Sequence, residues 1–325
     1  MPSVPTIALF ILPAFVLYTV FMVYPLVQAL IFSTFEFNGL VRGDFVGLQN
    51  FQQLFSRYPL NEQLPRAFGH NVAFFLGTMA IQNTAGLLFA VLLHKPRLGK
   101  RFFRTVFTMP YLISPIVVGY LWRLMLNPLF GPINNTLKSI GLSDLAKPWL
   151  GDPATALPTV ILVNAWMWVG FPMLLFGAGL AGIEEDLREA ARIDGASNWG
   201  IFQHIEFPLL TPVIGIVTVL TFIGNFNAFG VVWSLAGVDG PPAGATDVLG
   251  LVFYRAAFDG GSDAFGLASA LAVLMFLFIF TVSVGVQTWF RRLEDRMQWA
   301  PRILLRTVLS VYRVSPSRRS APMAC

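Results

Sequence analysis

The chain has 325 residues, 55% of them hydrophobic and 12% charged, with a mean hydropathy of +0.66. A soluble domain carries about 25% charged residues, so this composition excludes a soluble globular protein and points to a membrane protein. The net charge of +5 is spread over loops between apolar runs, which argues for membrane topology and against nucleic acid, and the single cysteine, Cys325, allows neither an internal disulfide nor a cysteine-based metal site.

Six apolar runs reach the ~20 residues a helix needs to cross a bilayer. They are 6–33, 71–93, 105–126, 157–180, 210–235 and 265–290. Backbone polar groups in lipid must be satisfied within the segment, so each run is expected to be helical. Pro13, Pro25 and Pro115 fall inside runs, where packed membrane helices tolerate them. The first run lacks a basic start and a small-residue cleavage site, and reads as a retained span. The expected fold is all-α, with six transmembrane helices and a cytoplasmic helix between the fourth and fifth. Residues 1–67 hold the first helix and an outer loop, 68–290 form the main transmembrane domain, and 291–325 form a basic tail.

Lys and Arg set the orientation. Loop 94–104 carries five, loop 181–209 two and the tail eight, against three, two and one in loops 34–70, 127–156 and 236–264. Fifteen against six places both termini in the cytoplasm of a multi-pass protein of the cell (inner) membrane. Arg123 alone falls within a span, and is read as snorkelling to the outer interface.

The 181–209 loop is the one polar interruption with a dense pattern. Ile183, Leu187, Ala190 and Ala191 recur at helical spacing opposite Glu184, Glu185, Arg188 and Arg192, an amphipathic helix too short to span. Gly195 is a natural helix stop, Ser197 a cap for a second turn carrying Trp199, Phe202 and Ile205, and Pro208 stands where the next span begins. By itself this describes a solvated amphipathic loop. The joint pattern of Glu189, Ala190, Ala191, Asp194, Gly195, Ala196, Ile205 and Pro208 resembles the Glu-Ala-Ala loop of binding-protein-dependent ABC permeases, with Phe207 where that family usually has Leu. The resemblance implies that Glu189, Ala190, Ala191, Asp194, Gly195 and Pro208 form a coupling element that docks on an ATPase.

From about residue 68 to 290 the chain is similar to carbohydrate-uptake permeases, above all the maltose transporter's substrate-contacting subunit. Asn225-Phe-Asn-Ala-Phe229 and the stretch Tyr254 to Ala270 carry that likeness. It implies a second permease, a pair of ATP-binding subunits and an extracytoplasmic solute-binding protein as partners, with the bilayer around them. ATP would be bound by the partners and no cofactor by this chain. Asn164, Trp168 and Phe171 share one face of the fourth span, and Thr221, Asn225 and Ala228 one face of the fifth. By the resemblance these six fall where the family touches sugar, with Trp168 in place of a small residue and Ala228 in place of an amide. The residues alone leave another role open: asparagines in spans also serve as hydrogen-bonding glue between helices, worth ~0.6–2 kcal/mol each.

No phosphate-cradling Gly-x-x-x-x-Gly-Lys motif is present, and His70, His94 and His204 form no metal or hydrolase pattern. No catalytic or metal residues are expected. The spans lack the buried carboxylate or histidine that a stand-alone ion-coupled secondary transporter generally needs, which leaves that reading as the alternative. In the tail, Arg302, Arg306 and Arg313 share one face if 302–313 is helical; an unstructured basic tail fits the sequence equally, and 316–325 reads as disordered.

Overall fold

A computed structural model describes residues 4–94, 99–259, 261 and 263–312, with side chains as far as Leu293 in the last helix. Helix α1 (Ala8–Phe32) is apolar throughout and is not buried against the rest of the chain. The chain then turns into a hairpin of β1 (Phe35–Asn38) and β2 (Val41–Phe45), antiparallel with Asn38 opposite Val41. Gly39, at φ +64°, takes the first of the two loop positions, where a tight hairpin needs a left-handed residue. This hairpin corrects the expectation of an all-helical fold. Its signal was the alternation Phe35, Phe37 followed by Asn-Gly. Phe37 is buried between Phe32 and Phe265, with ring centroids 5.3 and 5.6 Å away.

Helix α2 (Gln49–Ser56) leads to α3 (Leu60–His94), which starts eleven residues ahead of the expected second span. The third apolar run is not one helix. It divides into α4 (Lys100–Thr108), a 3-10 turn (Met109–Leu112) and α5 (Pro115–Met125), with a 99° bend. Pro115 explains the break, because it pushes Ser114 out of the helical region, to ψ 134°. After the short α6 (Pro132–Ser139), the fourth run bends by 45° between α7 (Pro153–Trp168) and α8 (Gly170–Ala181). Pro172 lacks the N–H that would bond the Trp168 carbonyl.

Helix α9 (Glu185–Ile193) lies in the polar loop. A 64° bend then separates α10 (Asn198–Leu209) from α11 (Thr211–Phe226), where Pro212 likewise lacks the N–H that would bond the Pro208 carbonyl. The expected fifth span, 210–235, is cut at Asn227–Phe229 before α12 (Gly230–Ala236) resumes. Helices α13 (Leu249–Phe258) and α14 (Ala264–Tyr312) complete the fold. The arginine face expected at 302–313 and the end of the chain lie outside the described side chains. Three helices are long and apolar enough to cross a membrane, and three bent pairs meet the same test when each is taken as one span.

Packing gathers in three apolar clusters. Leu54, Phe226 and Leu271 join α2, α11 and α14; Phe74, Met167 and Val232 join α3, α7 and α12; Phe176, Leu180 and Val217 join α8 to α11. Lipid is as apolar as leucine, so close contact rather than water exclusion holds such helices together. Gly86 and Gly119 show it. A Cβ on Gly86 would lie 2.8 Å from Pro172 of α8, and one on Gly119 would overlap Ser234 Oγ of α12.

Polar rivets cross these clusters. Asn71 is fully buried in α3; its amide donates to the Asn225 carbonyl at 2.8 Å and its oxygen accepts from Leu249 N at 2.8 Å. It thereby fixes α3, α11 and α13 to one another. In the loop before α13, Asp247 is buried and accepts two 2.8 Å bonds from the Arg255 guanidinium, with Arg66 at 3.5 Å.

Candidate functional site

Two places gather the residues the sequence singled out. The first is a cavity of about 380 Å³ between α3, α7, α11 and the break at 227–229. That volume is within the usual range for small-molecule sites, ~300–1,000 Å³. Asn164, Trp168, Phe171, Thr221, Asn225 and Ala228 all line it. The route differs from a plain helical face. Trp168 and Phe171 flank the bend at Val169, and Ala228 is outside helix altogether. The two breaks turn these residues toward a common space, so the helical-face argument placed them together for an incomplete reason.

The lining holds no charged side chain. Its polar groups are amides and a hydroxyl, joined by Gln82 and Asn227, and its ring faces are Trp168, Phe171 and Phe229. Tyr111 steadies two of these rings, 5.3 Å from Trp168 and 5.7 Å from Phe171. Thr221 Oγ1 accepts from Asn83 Nδ2 at 3.1 Å. Asn225 accepts a hydrogen bond from Thr78 on Oδ1 at 3.4 Å, yet its Nδ2 is buried with no partner among the described residues. A buried unmatched donor costs ~1–3 kcal/mol, which favours any species that brings an acceptor to it. Trp166 turns away and packs edge-on against Trp122 at 5.3 Å. Sequence reasoning missed Gln82, whose signal was the Gln-Asn pair inside an apolar run; the structure turns it inward on a π-helical turn, Met79–Asn83.

The second place is the elbow from Ile183 to Pro208. Its turn follows the motif that ends many helices: Ala196 N bonds to Ala191 O at 2.9 Å and Gly195 N to Arg192 O at 3.1 Å, with Gly195 at φ +82°. Ser197 Oγ then accepts from Gly200 N at 3.1 Å, capping the next helix.

One expectation is reversed here. Arg188 was assigned to the solvent face and is 4% exposed. Its Nε donates to Glu206 at 2.8 Å, one terminal nitrogen to Glu185 at 2.8 Å and the other to the Leu180 carbonyl at 2.8 Å. The carbonyls at the end of α8 need donors, and only a long cationic side chain reaches them and both carboxylates. Burial works against the charged guanidinium, but its bonds to Glu185 and Glu206 outweigh this and hold its pKa above the ordinary value. The same bond from Arg188 draws the exposed Glu185 carboxyl below the usual carboxylate range.

With Arg188 turned inward, apolar groups of α9 and α10 face outward. Ile193 is 86% and Trp199 69% exposed, and Leu187 and Ala190 are also exposed. Glu189 and Asp194 are exposed and make no ion pair with a described residue. Ala191 and Pro208 are half-buried. The result is a surface with an apolar centre and acidic neighbours, on a frame fixed from behind.

Comparison with known proteins follows the same outline. The model of the binding-protein-dependent transport system inner membrane component family matches residues 82–296, which contain the elbow and every residue that lines the cavity. A probable ABC transporter permease protein, YurN of Bacillus subtilis, is 32% identical over 286 residues, covering 87% of this chain and 95% of its own. The lactose transport system permease protein LacF of Rhizobium radiobacter is 32% identical, with 85% and 90% covered. Among solved structures, a bacterial ABC transporter involved in import of the acidic polysaccharide alginate superposes with a TM-score of 0.76 at 22% identity, covering 88% of this chain and 95% of that one. At that identity the superposition speaks for the fold.

Proposed function

This chain belongs to the binding-protein-dependent transport system inner membrane component family, and on that premise we propose that it is the permease subunit of an ATP-driven sugar importer. It is a membrane permease component; ATP hydrolysis is assigned to separate subunits. Relatives named as lactose, starch degradation product and multiple sugar permeases support a sugar or sugar derivative as cargo.

The carrying observation is the elbow. Its polar side is locked inward by Arg188, and its outer side leaves Ile193, Trp199 and Ala190 exposed. An apolar, acid-edged surface of this kind suits docking on an ATP-binding subunit. Ala190, Ala191 and Gly195 permit close approach, Glu189 and Asp194 supply polar contacts, and Pro208 starts the following helix turn. In the full assembly we place this chain beside a second permease, on a pair of ATP-binding subunits, with an extracytoplasmic binding protein delivering substrate. Six spans, with both termini and the elbow in the cytoplasm, accord with the fifteen-to-six distribution of Lys and Arg.

The cavity then receives the cargo. Asn164, Thr221 and Asn225 offer hydrogen bonds to hydroxyls, Trp168 and Phe171 offer faces to sugar rings, and Ala228 leaves room. ATP binding closes the partner subunits, moves the elbow and rocks the helices around the cavity. Such coupling needs elbow contacts that differ between the two states.

The test is co-purification joined to vesicle uptake. An ATP-binding subunit should come down with wild type and be lost when 189–195 is scrambled, and uptake should require ATP. Uptake driven by an ion gradient in the absence of that subunit would establish the secondary transporter instead.

A further inference from the structure

A second, smaller cleft opens at the far end of the bundle, near the elbow. It measures about 160 Å³ and lies between the end of α3, the start of α4 and α8. His94, Lys100 and Arg104 line it against Met173 and Gly177, and no carboxylate is among its lining residues. The carboxylates whose charge reaches His94, Glu206 and Glu185, are both engaged by Arg188.

The cations have bonding capacity in hand. Lys100 Nζ donates once, to the His94 carbonyl at 2.9 Å, which leaves two of its three N–H groups. The Arg104 guanidinium makes no hydrogen bond or ion pair with a described residue. The helix they ride on is sharply amphipathic: Lys100, Arg101 and Arg104 share one side, while Phe102, Phe103 and Val106 are exposed on the others, Phe102 by 66%. A helix so divided suits the membrane interface at the cytoplasmic start of the third span, with rings among acyl chains and cations among headgroups. The 99° bend before α5 turns it away from the spanning direction.

We propose that this cleft binds the phosphate of an anionic phospholipid headgroup, with Lys100 and Arg104 as its principal donors and the exposed phenylalanines beside its acyl chains. Basic pockets between membrane helices hold such headgroups, and a guanidinium gives a phosphate two parallel hydrogen bonds. The size suits a single phosphate with a few waters, each of which occupies ~30 Å³. The exposed phenylalanines on the same helix argue for a lipid rather than free phosphate, since Phe102 and Phe103 offer nothing to an inorganic ion.

The experiment uses the full transporter, purified in mild detergent. Native mass spectrometry counts retained phosphatidylglycerol in wild type, in Lys100→Gln/Arg104→Gln and in Arg101→Gln, whose side chain does not line the cleft. Thermal shifts with phosphatidylglycerol, phosphatidylcholine and millimolar inorganic phosphate run beside it. Phosphatidylglycerol should stabilise wild type where the other additives do not. Its retention should fall tenfold to thirtyfold, an order-of-magnitude figure for two surface cations, in the double variant and not in Arg101→Gln. The charge-preserving Lys100→Arg/Arg104→Lys should keep the lipid, which separates lost binding from lost folding. Equal protection by inorganic phosphate would overturn the lipid assignment, and equal lipid retention in all four proteins would overturn the site.

Discussion

The cavity and the elbow treat polar groups in opposite ways. The cavity has amides, a hydroxyl and aromatic rings, no charge, and one buried donor, Asn225 Nδ2, left unmatched. In the elbow the buried charge of Arg188 has a partner at each of its three nitrogens, while apolar Ile193 and Trp199 stand in the open. One place keeps bonding capacity inside, and the other uses it on its own frame and leaves an apolar surface outside. On the function proposed above, the contrast separates what is carried from what drives the carrying.

The sharpest way to break this comparison is Arg188→Met. The change leaves Glu206, at 13% side-chain exposure, without its cation and takes from the Leu180 carbonyl its 2.8 Å donor, leaving the longer 3.4 Å bond from Ile183 N. Removing one partner of a buried pair costs ~3–5 kcal/mol. Thermal unfolding in detergent should show the largest loss of any variant named here, and Arg188→Met/Glu206→Gln should recover part of it. If Arg188→Met unfolds no earlier than Asn164→Leu in the cavity, the elbow is not the rigid half of the pair.

Asn71→Leu comes next. It strands the Leu249 amide, at ~1–3 kcal/mol for a buried group left unpaired, and takes from the Asn225 carbonyl its 2.8 Å donor, leaving the longer 3.3 Å bond from Ala228 N. Because Asn71 holds the backbone of Asn225, stability and uptake should fall together. Asn225→Leu should reduce uptake with only a small change in melting temperature, since it removes one long bond, from Thr78 at 3.4 Å, and a side-chain Nδ2 that has no partner among the described residues. A large melting shift in Asn225→Leu would make that residue helix glue and leave the cavity reading without its main donor.

Much of this contrast was legible in the sequence, and its limits are physical. The elbow turn could be read because Gly195 and Ser197 act locally, through backbone conformation and capping. The six cavity residues could be read through resemblance and spacing, although Ala228 reaches the cavity by a helix break that spacing does not foresee. Arg188 could not be read. An amphipathic pattern assigns a cation to water, and only the position of the α8 carbonyls and Glu206 in space makes burial favourable. The hairpin at 35–45 had a local signal in Asn38-Gly39, overshadowed by the membrane pattern around it.

Gly195→Ala should have a smaller effect on the fold than Arg188→Met and still a clear one on function. A Cβ there meets nothing within 4 Å, so the cost is confined to the left-handed backbone, ~1–2 kcal/mol for a residue other than glycine. The spans should keep their melting temperature, while ATP-driven uptake falls because α9 and α10 change their mutual angle. A bulkier residue, as in Gly195→Leu, adds a side chain to the proposed docking surface itself and should abolish uptake with the chain still in the membrane.

The smallest expected effect is one of pH, and it tests whether elbow and cavity are separate units. Glu185 is held below its ordinary value first by the hydrogen bond from Arg188, opposed by desolvation and reinforced by the charges of Arg188 and Arg192. A carboxyl whose folded pKa is lowered contributes stability that is present above the unfolded value, about 4.3, and is lost as pH falls through the folded one. Acidification below that point should therefore loosen α9. After correction for intrinsic rates, hydrogen exchange across 185–193 should accelerate, and Glu185→Gln should remove the step, since an amide does not titrate there. Amides of 211–226 beside the cavity should not respond, because the cavity lining carries no titratable group. If both segments loosened at the same pH, Arg188 would be transmitting the change through Leu180 and α8 to the cavity wall. The elbow and the cavity would then be one mechanical unit rather than two.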